Sequence, residues 1–62
     1  MYTHYFETAS GVRYLIDSDN KIIERNGTRV PYLFIESVVG AKGRIYLPDG
    51  RIIQTTTVVK AR

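Results

Sequence analysis

Few residues of this chain have side chains suited to covalent or acid–base chemistry. His4 is the only histidine, and cysteine is absent. Nucleophilic catalysis needs a nucleophile, a base and an orienting group held together, and no serine lies in a motif that supplies the other two. His4 alternates with Tyr2 and Phe6, which favours an ordinary strand residue beside aromatic neighbours. We therefore predict no catalytic residue and no enzymatic activity.

Residues 17–20, Asp-Ser-Asp-Asn, resemble the beginning of a calcium-binding loop. Such a loop needs glycine at its sixth position and a bidentate glutamate at its twelfth. The corresponding residues are Ile22 and Thr28, so the pattern predicts a polar turn instead. A zinc site would have to be built from carboxylates and a single histidine, which is unusual for a structural site. We predict no metal and no cofactor.

Basic residues outnumber acidic ones, nine to six, and give the chain a net charge of +3. Five of the nine follow residue 41, where Asp49 is the only acidic residue. Sheets that bind nucleic acid combine cations that contact phosphates with an aromatic ring that stacks on bases. The residues that would bind are Lys42, Arg44, Tyr46 and Arg51. A hairpin around residues 48–50 would put Arg44, Tyr46, Ile52 and Gln54 on one face and Arg51 on the other. Nucleic-acid binding is therefore one of two functions that the sequence suggests.

A segment near the end of the sequence carries no charge and includes three consecutive threonines. Its residues are Gln54, Thr55, Thr56, Thr57 and Val58. An uncharged, β-branched strand is suited to pairing with a strand of another chain. The same segment fits an interior strand of the protein's own sheet equally well. Binding to a protein partner is the other function that the sequence suggests.

The composition favours β-strands. Nineteen of the 62 residues are β-branched, and five tyrosines and two phenylalanines join them. Branching at Cβ restricts rotamers in a helix and suits a pleated sheet. The length allows one domain, residues 1–62, whose small core would gain from a partner subunit. No apolar run is long enough for a membrane helix and no signal peptide is visible, so we expect a cytoplasmic protein without membrane contact.

Asn26 and Gly27 predict a β-hairpin with a two-residue loop. Both central positions of a type I′ turn need a positive φ, and this dipeptide tolerates it best. The loop sets the register of the flanking strands and creates one opposite-charge pair and one β-branched pair. The predicted pairs are Arg25 with Thr28, Glu24 with Arg29, and Ile23 with Val30.

Two other loops predict hairpins with three-residue connections. Pro48, Asp49 and Gly50 suit the successive positions of a turn that ends in a left-handed residue. Residues 9–11, Ala-Ser-Gly, close in the same way. The predicted pairs are Leu47 with Arg51, Tyr46 with Ile52, Ile45 with Ile53, Glu7 with Arg13, and Phe6 with Tyr14.

These turns divide the chain into short strands, which we predict at residues 2–8, 12–17, 21–26, 28–38, 44–48 and 51–60. Pro31 and Gly40 would also suit the ends of a short helix over residues 32–39. Phe34 and Ile35 are poor helix formers, however, and favour a strand there. We predict an all-β fold, a single small antiparallel meander of five to six strands curled into an SH3-like barrel or half-barrel.

Two short elements resemble those of short phage-encoded or prophage-encoded all-β accessory proteins. One is Ser-Gly-x-x-Tyr at residues 10–14, and the other is Gly-x-x-x-x-Thr-Thr-x-Val at residues 50–58. Together they cover fourteen of the 62 positions. The resemblance implies a small all-β accessory protein and carries no catalytic residue over. The likeness to SH3-like barrels is one of fold and implies no function.

Two function classes follow from these observations. The leading one is a non-enzymatic interaction module that binds a protein partner and self-associates as a homo-oligomer. The alternative is a nucleic-acid-binding small β-barrel that uses the basic hairpin near the end of the chain.

Overall fold

The chain folds into β-strands and turns without any helix. A computed structural model describes all of its residues, 1–62. The strands are β1 (His4–Thr8), β2 (Arg13–Asp17), β3 (Ile22–Arg25), β4 (Thr28–Pro31), β5 (Phe34–Glu36), β6 (Lys42–Tyr46) and β7 (Ile52–Ala61). All neighbours pair antiparallel, so the predicted all-β class with one antiparallel sheet is confirmed. The chain has no helix that is long and apolar enough to cross a membrane.

The three predicted hairpins form with the predicted registers. Asn26 and Gly27 have φ angles of 50° and 82°, so both central residues of their loop are left-handed, as a type I′ turn requires. At the third hairpin the N–H of Leu47 donates to the carbonyl of Arg51 at 2.9 Å. The other confirmed pairs are Arg25 with Thr28, Glu24 with Arg29, Ile23 with Val30, Glu7 with Arg13, Phe6 with Tyr14, Ile45 with Ile53, and Tyr46 with Ile52.

The single strand predicted over residues 28–38 is wrong, because the chain crosses there from one edge of the sheet to the other. β4 ends at Pro31, which has no N–H with which to extend a ladder. The N–H of Tyr32 donates to the carbonyl of Lys21 at 3.0 Å, and that of Leu33 donates to Tyr46 at 2.8 Å. Residues 34–36 are then a strand at the opposite edge. The sheet consequently has seven strands, where five to six were predicted.

The sheet joins two meanders, where a single one was predicted. Its strand order is β4-β3-β2-β1-β7-β6-β5. The first four strands form one meander and the last three form the other. β7 joins them by pairing with β1 on one side and β6 on the other. β4 and β5 are left as the two edges, so the sheet is not closed into a barrel.

β7 changes partners along its length, and this change bends the sheet. Residues 52–57 pair with β6, and residues 58–61 pair with β1. The register is irregular at both contacts, between Lys42 and Arg44 on β6 and between Glu7 and Thr8 on β1. Such irregularities bend a strand and increase its twist. The two halves of the sheet therefore turn their inner faces toward a common core.

The core is small and draws on both halves of the sheet. Phe6 and Tyr14 stack with their ring centroids 4.7 Å apart. The eight buried apolar residues are Phe6, Tyr14, Ile16, Ile23, Tyr32, Ile45, Leu47 and Val58. A chain of this size hides only about 60 % of its unfolded surface. Much apolar surface is consequently exposed to solvent, including that of Phe34 and Ile52.

Candidate interaction surfaces

Three of the four residues predicted to bind nucleic acid lie together on the outer face of β6. Lys42, Arg44 and Tyr46 alternate with buried residues along the strand, so their side chains point away from the core. Arg51 pairs with Leu47, which is buried, and it therefore belongs to the opposite face. The structure thus brings three of the four residues together and separates the fourth.

Acidic side chains accompany this basic group. The Tyr46 hydroxyl donates to Glu36 Oε1, and Glu36 lies directly opposite Arg44 on the neighbouring strand. Arg51 Nε lies 2.6 Å from Asp49 Oδ2. Carboxylates beside the cations weaken the attraction of this face for phosphates. Because Glu36 lies before residue 41, the excess of basic residues after that position does not reveal this carboxylate.

The same outer face carries an apolar row that crosses three strands. Phe34 lies opposite Tyr46, and Tyr46 lies opposite Ile52. The rings of Phe34 and Tyr46 have centroids 5.7 Å apart, while Phe34 is 59 % and Ile52 57 % exposed. We call these three residues the outer row. The register of the last hairpin predicts that Tyr46 and Ile52 share a face, whereas the strand predicted over residues 28–38 has the wrong length and position for Phe34.

The predicted interaction edge, Gln54 to Val58, lies within β7 in the middle of the sheet. Thr55 and Val58 are buried, and Gln54, Thr56 and Thr57 are exposed. The carbonyl of Thr57 accepts the N–H of Ala9 at 2.8 Å. β1 pairs with β7 only from Val58 onward. Residues 52–54 consequently have β6 on one side and no strand on the other.

An open groove borders this part of β7. Its volume is about 270 Å³, and its apolar walls come from both halves of the sheet. The apolar lining consists of Tyr14, Ile23, Val30, Ile45 and Ile53. Arg25 is the only charged residue that lines it. We call this cavity the groove. No local sequence pattern predicts this groove, because Arg25 and Ile53 lie far apart in the chain and line one cavity only when β7 bends.

Arg25 is available to a ligand. Its guanidinium carbon lies 5.9 Å from the centroid of the Tyr14 ring, which orients the side chain over the groove wall. The ion pairs of the chain involve other cations, namely the amino terminus, Arg13, Arg29 and Arg51. The neighbouring Glu24 points to the opposite face of β3, where its carboxylate accepts a hydrogen bond from the Tyr2 hydroxyl. The groove therefore presents a positive charge without an acidic counterpart.

The titratable side chains do not converge on any reactive centre. His4 Nδ1 lies 2.8 Å from the Thr3 hydroxyl, and no group of three or more His, Cys, Asp or Glu side chains is placed to hold a metal ion. Burial raises the pKa of the Tyr32 phenol, and the negative charge of Asp17 adds to that effect. A raised pKa keeps this phenol neutral, which suits a core residue. The arrangement is suited to binding by surface contact.

Comparison with known proteins adds no relative. No family model matches this chain. Neither the curated proteins nor the solved structures give a match. What the protein does therefore has to follow from its own surfaces.

Proposed function

We propose that this protein is a non-enzymatic interaction module that binds a protein partner and self-associates, with its bent sheet acting as an SH3-like half-barrel. The observation that carries the proposal is the outer row, Phe34, Tyr46 and Ile52. Large apolar side chains that are contiguous across three strands, with those of the two flanking strands exposed, commonly mark a protein contact. The resemblance to phage-encoded or prophage-encoded β proteins extends the proposal to an accessory protein, which we expect to work in the cytoplasm.

The energetics favour covering this row. Fully burying a Phe or Ile side chain contributes roughly 1.5–3 kcal/mol, and more than half of the surface of Phe34 and of Ile52 is still exposed. A second copy would bring the same row, so one patch could meet itself across a two-fold axis. With only eight residues in the buried cluster, such a contact would add appreciably to the stability of each copy.

Light scattering on purified protein tests self-association. We expect a mass above the 7.1 kDa of one chain for the wild type and the mass of one chain for Phe34→Lys, because a charge in the outer row loses its hydration in the contact. Val39→Lys is the matched control, since Val39 is similarly exposed, at 56 %, and lies outside the row. A wild-type mass of one chain, or equal masses for both variants, would contradict this proposal.

Nucleic-acid binding is the second candidate, favoured by the outward alternation of Lys42, Arg44 and Tyr46 on β6. Chromatography on heparin distinguishes the two. Phosphate binding predicts retention that falls steeply with salt and that Arg44→Glu abolishes. The protein-binding proposal predicts elution of the wild type at low salt, as for any domain of modest positive charge.

A further inference from the structure

The backbone of β7 has hydrogen-bonding groups that the sheet does not use. Across the last hairpin, the N–H of Leu47 donates to the carbonyl of Arg51, and Ile45 lies opposite Ile53. In an antiparallel ladder, bonded and non-bonded pairs alternate. Ile52 and Gln54 are therefore the non-bonded positions, and their N–H and C=O groups point away from β6. No strand receives them on that side, because β1 joins β7 only at Val58.

This free edge and the groove are parts of one feature. Ile53 lies between Ile52 and Gln54, and its side chain lines the groove. A strand added beside β7 would bond to the backbone of Ile52 and Gln54. Every second side chain of that strand would then point to the inner face, where the groove supplies apolar contacts from Tyr14, Ile23 and Ile45. Backbone pairing beside an apolar pocket is the arrangement with which many domains bind extended peptides.

Charge decides which occupant fits. Arg25 is the only charged residue of the lining, and it has no acidic partner within the chain. An acidic side chain on the added strand would supply that partner. A second copy of this chain would bring a further net charge of +3 to an already positive site. An acidic segment of another protein therefore fits better than a second copy.

We infer that the groove binds an extended, acidic peptide segment of a partner protein, which adds to β7 as a strand. The segment pairs with the backbone of Ile52 and Gln54, packs an apolar side chain against Ile53 and places a carboxylate at Arg25. The inference rests on the proposed protein-binding function and assigns it a site on the inner face, which shares only the backbone of Ile52 with the outer row.

The probe is an mRNA-displayed library of random linear peptides, selected on the immobilised full chain. We expect the enriched peptides to share alternating apolar residues and at least one acidic residue. The most enriched peptide is then synthesised with a fluorophore, and its affinity is measured by fluorescence anisotropy. A selection that enriches no peptide, or only basic ones, would overturn the inference.

Substitutions at Gln54 test the backbone pairing. Gln54→Pro removes an N–H that bonds nothing within the sheet but would bond the peptide, whereas Gln54→Val changes the side chain and keeps the N–H. We expect affinity to fall about tenfold for the proline variant, the loss of a buried backbone bond, and to stay within about twofold for the valine variant. Circular dichroism verifies that both variants are folded. Equal affinities of the two folded variants would argue against strand addition.

Charge reversal tests the groove independently of any backbone change. Arg25→Glu should weaken binding of the acidic peptide at least about tenfold, and Arg44→Glu, the same change on the outer face, should leave it within about twofold. Phe34→Lys should also leave it unchanged, because the outer row faces away from the groove. If Phe34→Lys abolishes binding and Arg25→Glu does not, the peptide occupies the outer row, so the proposed function stands and this inference falls.

Discussion

Asp17 is an acidic residue that is almost fully buried, with 1 % of its surface exposed. The side-chain amide of Asn20 donates to Asp17 Oδ2 at 2.9 Å, and the backbone N–H groups of Asp19 and Asn20 donate to Oδ1 at 3.1 and 3.2 Å. The bond from the Asn20 amide, followed by that from the Asn20 N–H and by the ammonium group of Met1, holds the pKa of Asp17 below its usual value against the opposing effect of burial. The predicted polar turn at residues 17–20 is thus confirmed as a turn closed by its own carboxylate.

We expect this carboxylate to make the protein less stable as the pH falls into the acid range. Because its pKa is lower in the folded chain, Asp17 stabilises the fold above the unfolded pKa of about 3.9, and the contribution is lost as pH falls through the folded pKa. Asp17→Asn should lower the melting temperature at neutral pH, and the two melting curves should converge in acid. Asp19→Asn is the control, since Asp19 is exposed. A constant difference between wild type and Asp17→Asn at every pH would contradict this explanation.

The irregularity between β6 and β7 depends on one buried hydroxyl. Thr55 Oγ1 accepts the N–H of Gly43 at 3.0 Å and donates to the carbonyl of Thr56 at 2.7 Å. A Cβ at residue 43 would lie 2.7 Å from that oxygen, so only glycine leaves room for the contact. The hydroxyl therefore replaces a ladder bond at the point where β7 passes from one partner strand to the other.

Thr55→Val should destabilise the fold by about 1–3 kcal/mol, because it leaves the buried N–H of Gly43 without an acceptor. Thr55→Ser keeps the hydroxyl and should cost less, roughly the 0.8 kcal/mol of one methyl group. The free energy of unfolding in urea, measured by circular dichroism, compares them. If valine proves as stable as serine at this position, the hydroxyl does not hold the bend.

Over the whole molecule, the crossing at Tyr32 ties the two edges of the sheet together. Tyr32 is buried in the core, with 7 % of its surface exposed, whereas the next residue, Leu33, is 63 % exposed. The N–H of Tyr32 donates to the carbonyl of Lys21, just before β3, and the N–H of Leu33 donates to the carbonyl of Tyr46 on β6. The two meanders are therefore held by one pair of adjacent residues at this side and by β7 at the other.

Tyr32→Ala should cost about 3–5 kcal/mol, the range for deleting a buried aromatic side chain. Domains have roughly 0.05–0.15 kcal/mol of stability per residue, so a chain of 62 residues with about 3–9 kcal/mol in all would lose at least about a third of its stability. Leu33→Ala should change stability by less than about 0.5 kcal/mol. Urea titration at low protein concentration measures both. A Tyr32→Ala variant as stable as Leu33→Ala would mean that the two meanders hold together without the buried ring at this crossing.

The sequence alone determined the three hairpins, because each depends on residues within a few positions of one another. The φ that Asn26 and Gly27 tolerate and the turn formed by Pro48, Asp49 and Gly50 set their registers without reference to the rest of the chain. The alternation that follows put Tyr46 and Ile52 on one face. The all-β class followed from the same local preferences.

Only the tertiary structure decided how the hairpins join. Pro31 ends β4, but the path that the chain takes after it depends on how the Tyr32 side chain packs into the core. The bend of β7 likewise depends on Thr55 meeting Gly43 from another strand. The groove arises from both, since it needs Arg25 and Ile53 to come from halves of the sheet that no local pattern relates. Contacts between distant segments are set by packing, and the local preferences of turn residues do not determine them.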